Sequence, residues 1–168
     1  MNTAHWHLLL NHLPIVGTII GTLILIAGYL FKGNPDVKRI ALGVFVFSAL
    51  FAIPAFLTGD GAEDAVEKMP GVTENAINVH EELGEIYLVI LSILGVLSIF
   101  TFIMDARNSK FAPTLYVIAL LISIGSFIYA KQVGTTGGEI RHTEIRSGAI
   151  QQQEHPMEQG HHEDKDND

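Results

Sequence analysis

Four uncharged apolar stretches dominate this chain of 168 residues: Leu13 to Phe31, Ile40 to Thr58, Ile86 to Met104 and Phe111 to Ala130. Each has about the twenty residues a helix needs to cross roughly 30 Å of hydrocarbon. A single stretch of this kind fits a buried helix of a soluble protein. Four in succession leave too little polar surface to cover a globule, and within lipid only helices and closed barrels satisfy their own backbone. The expected fold is therefore all-α, an integral membrane four-helix bundle seated in a lipid bilayer. It occupies residues 1–148, with spans at about 9–31, 38–58, 80–105 and 111–132. The first span lacks a basic start and an Ala-x-Ala end, and its apolar run is longer than that of a cleaved signal peptide. Gly17 and Gly21 form a GxxxG pair, which predicts a seam where two helix backbones approach closely.

Charge sets the expected orientation. The short connections carry Lys32, Lys38 and Arg39, then Arg107 and Lys110, whereas residues 59–85 hold one base, Lys68, against eight acids. The positive-inside rule makes the short turns cytoplasmic and places both termini and the 59–79 loop on the periplasmic or outer side. Lys131, Arg141 and Arg146 on that outer side pull weakly against this assignment. Within the loop, Ala62, Ala65, Val66 and Met69 recur at helical spacing. That pattern fits a short helix lying over the bundle mouth or an ordinary solvated loop. Residues 149–168 are polar, acidic and contain His155, His161 and His162; they read as a disordered tail with little to bury. The net charge of -8 without a basic face argues against a nucleic-acid partner.

The chain has no cysteine, so disulfides, thiolate metal sites and covalently attached haem are excluded. Any redox centre must be held by other ligands. Of eight histidines, the five outside the tail are His5, His7, His12, His80 and His142, all at helix ends assigned to the outer side. Ionisable residues at membrane depth are costly and mark functional sites, although single interfacial imidazoles are also comfortable among headgroups. Five on one side and none on the other favours a site.

A weak internal repeat adds to this. Each half opens with a histidine at a helix entrance, His12 and then His80, and closes on a glycine-rich exit, "LTGDGAED" at 57–64 and "VGTTGGEIRH" at 133–142. The glycines of the second exit are expected to turn the chain back over the bundle. Two facing imidazoles can ligate haem b axially without a covalent link. Depth and the repeat favour His12 with His80 as the pair, with His7 and His142 next and available to a second haem. Gly84 would make room for a flat macrocycle, and Arg141, Arg146 or Lys131 would pair with propionates. A plain zinc, copper or iron site is the rival reading. It would draw on His5, His7, His12, His80 and His142 with Glu81, Glu85 or Glu139.

Other chemistries lack their residues. "HEELGE" is not the HExxH of zinc proteases because position 84 is glycine, and "GTTGGE" lacks the lysine of a phosphate-binding loop. Two function classes stay open. One is a b-type cytochrome-like electron carrier that serves quinol or a periplasmic redox protein. The other is a non-redox membrane protein, either a metal binder or an accessory subunit of a larger complex or homo-oligomer. Both are binding roles rather than turnover enzymes.

With "HWHLLLNHLPIVG", "TGDGAED", "NVHEELGE" and "GTTGGEIRHTE" in view, residues 5–145 resemble an uncharacterised bacterial family of four-helix predicted inner-membrane proteins with a domain of unknown function. The resemblance implies four spans and a multi-pass location in a bacterial inner membrane, and it brings no activity.

Overall fold

The computed structural model describes residues 2–31, 34–142 and 145–146. Among them there are helices and no strands: α1 (Thr3–Leu10), α2 (His12–Leu30), α3 (Pro35–Leu57), α4 (Gly59–Val66), α5 (Glu74–Ala106) and α6 (Ala112–Arg141). The tail 149–168, with its three histidines, lies outside the described residues. Four helical segments, Thr3–Leu30, Pro35–Leu57, Glu74–Ala106 and Ala112–Arg141, are long and apolar enough to cross a membrane.

Local chemistry explains the boundaries. Asn2 caps α1 by accepting from the His5 N–H at 3.0 Å. The chain breaks at Asn11 because Pro14 has no N–H to give to the Leu10 carbonyl, and its ring crowds that position. Asn34 caps α3 ahead of Pro35, and Thr73 caps α5. That second cap starts α5 at Glu74, six residues before the expected 80. The tight turn from α5 to α6 passes through Asn108 at φ 53°, a left-handed conformation that asparagine tolerates.

Helices α2, α3, α5 and α6 pack in a ring in that order, with α6 closing back on α2. Leu25, Leu42, Phe45, Leu91, Leu94 and Tyr116 fill the centre. The expected glycine seam is there: a Cβ on Gly17 would collide with Ser48 Oγ, and one on Gly21 would meet Phe45 Cε1 at 2.7 Å. Only glycine lets α2 lie this close to α3. The buried hydroxyls of Thr18, Thr22, Ser98 and Thr101 donate to carbonyls of their own helices, so the core contains them without orphaned donors.

The outward faces are apolar as well. Leu23, Leu50, Val96, Leu121 and Ile128 are each at least 60% exposed, which a water-soluble bundle avoids. At the end with the short turns, Arg39 Nε donates to Asp105 Oδ2 at 2.7 Å, and the Tyr116 hydroxyl donates to the same oxygen at 3.3 Å. This network ties α3 to α5 and α6. The opposite end carries the histidines.

Candidate functional site

At the histidine end the helices part around a cavity of about 700 Å³, within the usual range for ligand sites. His7, His12, His80 and His142 all line it, as do Gly84, Lys131 and Arg141. Four of the five expected histidines are thus brought together from α1, α2, α5 and the end of α6. His5 is not among the lining residues. It is exposed, two residues before His7 and so on a different face of α1.

Short helix α4 forms part of the wall through Gly59, Asp60, Ala62, Glu63 and Val66. The amphipathic stretch in the loop is therefore a helix at the mouth, though it begins at Gly59 rather than Ala62. Val66 is its last residue, and Met69, which precedes Pro70, falls outside it. The Glu63 carboxyl is pushed above the usual carboxylate range, first by burial and then by Glu81, Glu67, Asp60 and Asp64.

The closest histidine pair is His7 with His80. Their ring centroids are 6.5 Å apart and their planes stand at 82°. His7 Nδ1 lies 2.9 Å from the Ala55 carbonyl oxygen. A carbonyl can only accept, so His7 Nδ1 carries the hydrogen and Nε2 of the neutral ring carries the lone pair. His80 Nδ1 lies 3.0 Å from Thr136 Oγ1. That hydroxyl also lies 2.9 Å from the Gln132 carbonyl, to which it donates, and the His80 ring has the Val133 carbonyl as a second acceptor nearby. His7 is therefore held in the tautomer that leaves Nε2 as a ligand, the arrangement in which an outer partner orients a metal-binding histidine, and the His80 ring is oriented by Thr136.

The two supports match each other. Thr58 donates to the Pro54 and Ala55 carbonyls and reaches His7 Nδ1 at 3.5 Å. Thr136 donates to the Gln132 and Val133 carbonyls, four and three residues back, and holds His80. The Thr-Gly steps at 58–59 and 136–137 thus play one role twice. The structural counterpart of His80 in the first half is His7, whereas the sequence repeat aligns His80 with His12. Spacing alone points to His12 because it stands at the lip of the apolar run. The signal that finds His7 is the threonine of each glycine-rich exit.

The second exit does not turn the chain back. α6 continues through Gly134, Gly137 and Gly138 to Arg141. His12 and His142 are exposed at the rim. Arg141 donates to Met69 Sδ at 2.8 Å, and buried Arg146 is held by the Glu139 and Gly71 carbonyls rather than lining the cavity. Neither Glu85 nor Glu139 lines it either, and Gly84 faces Phe56, whose Cδ2 would lie 3.9 Å from an added Cβ.

Among the described residues no group of three or more histidine, aspartate or glutamate side chains converges as a plain metal site requires. Two imidazoles are what the fold presents. Two such rings bound to one metal through Nε2 at roughly 2.0–2.1 Å, each with about 1.2 Å from nitrogen to ring centre, have centroids about 6.4 Å apart. Perpendicular planes can both contain that common axis. Compared with known proteins, the chain matches no family model, no curated protein and no solved structure. The geometry of the site alone supports a function.

Proposed function

We propose that this chain is a multi-pass protein of a bacterial inner membrane that binds haem b near its periplasmic face and carries electrons. The observation that carries the reading is the His7–His80 pair: 6.5 Å between ring centroids, each ring hydrogen-bonded through Nδ1, at the wall of one cavity. His7 and His80 would hold the haem iron. Bound haem supplies one-electron transfer through its iron.

The chain's own residues do the rest. Ala55 and Thr136 hold the two rings, Gly137 leaves the place that the His80 ring fills, and Arg141 and Lys131 at the rim offer cations to propionates. Four long apolar segments and their exposed Leu, Val and Ile side chains support membrane insertion. The basic turns support a cytoplasmic location for the Arg39–Asp105 end.

The test is an absorption spectrum of the detergent-purified protein from haem-sufficient cells, air-oxidised and then dithionite-reduced. A Soret band with sharp reduced α and β bands is expected. A colourless preparation overturns the reading and leaves a membrane protein without redox chemistry.

A further inference from the structure

Two polar atoms in the same cavity have no hydrogen-bond partner: Asn11 Oδ1 and the Tyr87 hydroxyl. Both residues line the cavity, and Tyr87 is only 5% exposed. Asn11 comes one helical turn after His7 and Tyr87 two turns after His80, so both lie further into the bundle than the imidazole pair. Thr18 is near enough to influence Tyr87. Its own hydrogen goes to the Pro14 carbonyl at 2.7 Å, which leaves its oxygen as an acceptor towards the phenol, but the two hydroxyls fall short of hydrogen-bond geometry. The neighbouring walls are apolar: Pro14, Ile15, Ala52 and Leu88. Orphaned buried polar atoms are rare enough that two on one cavity call for a ligand.

We infer that the inner part of this cavity binds the head group of a quinol. The ring of a hydroquinone is flat and apolar, and its two oxygens project from opposite edges. One O–H meets the acceptor Asn11 Oδ1, and the other oxygen meets the Tyr87 phenol. A molecule of this kind reaches the site from the bilayer. Because Oδ1 only accepts, the reduced form gains a bond that the quinone carbonyl cannot make, so quinol binds more tightly than quinone. The inference rests on the cytochrome reading for its physiological role, while the binding itself needs no haem.

The test is native mass spectrometry of the full-length protein released from detergent, titrated with decylubiquinol kept reduced by dithionite. Haem and quinol are counted separately by mass in the same spectrum. We expect one quinol per chain, weaker retention of the oxidised form, and affinity about tenfold lower in Tyr87→Phe and in Asn11→Leu, the loss of one hydrogen bond each. Circular dichroism shows that each variant is folded. No retention by the wild-type protein, or equal retention by both variants, overturns the inference. Quinol bound without haem removes the cytochrome reading and leaves this one standing, and haem bound without quinol does the reverse.

Discussion

A Cβ added to Gly137 would lie 2.9 Å from Cε1 of His80, so the ring occupies space that only a glycine leaves open. The helix tolerates the glycine because His80 of α5 packs into it. Gly137→Ala should push the His80 ring aside and lower haem content, read as the Soret absorbance per chain. Gly125→Ala on the same helix is the contrast. Nothing stands within 4 Å of its added Cβ and it does not line the cavity, so haem is retained and the helix gains up to about 1 kcal/mol from alanine's higher propensity.

Thr136 is the partner of His80 Nδ1, whereas His7 has the Ala55 carbonyl at 2.9 Å with Thr58 further off at 3.5 Å. Thr136→Val should therefore weaken haem binding by about 10- to 100-fold, as loss of an outer partner does at other histidine sites. Thr58→Val should cost less than tenfold, since the backbone acceptor remains. Titration of the haem-free protein with haemin measures both, and equal effects would contradict the assignment of supports.

The part of this arrangement visible in the sequence is what depends on composition and short-range pattern. Four runs of apolar residues define the four long segments, the Gly17–Gly21 pair marks the seam against Ser48 and Phe45, and one-sided histidines mark the end that holds the cavity. What stays hidden depends on tertiary contact. Pro14 is plain to read, yet its consequence, the division of the first helical segment at Asn11, needs the helix path. Gly134, Gly137 and Gly138 look like a helix exit, and they stay helical, with Gly137 filled by His80. Asn11 and Tyr87 carry no motif. Their interest lies only in having no partner once buried.

The seam gives a stability prediction. Gly21→Val would place a branched side chain against Phe45 and drive α2 from α3, costing about 1–3 kcal/mol as overpacked cores do. Gly43→Ala, with open space around its added Cβ, should instead gain up to about 1 kcal/mol from helix propensity. Unfolding in graded detergent mixtures distinguishes the two.

The native chain has no cysteine, so single cysteines report topology cleanly. Asp64→Cys on α4 should react with a membrane-impermeant maleimide in intact spheroplasts. Lys110→Cys in the turn before α6 should react only after the membrane is opened. The reversed pattern would invert the bundle and place the cavity on the cytoplasmic side.

The central claim is that His7 and His80, rather than His12 and His80, hold a haem. The decisive measurement is the reduced-minus-oxidised spectrum of His7→Ala, His80→Ala and His12→Ala beside the wild type. The α band should disappear in His7→Ala and in His80→Ala and survive in His12→Ala. A band lost in His12→Ala and kept in His7→Ala would contradict it.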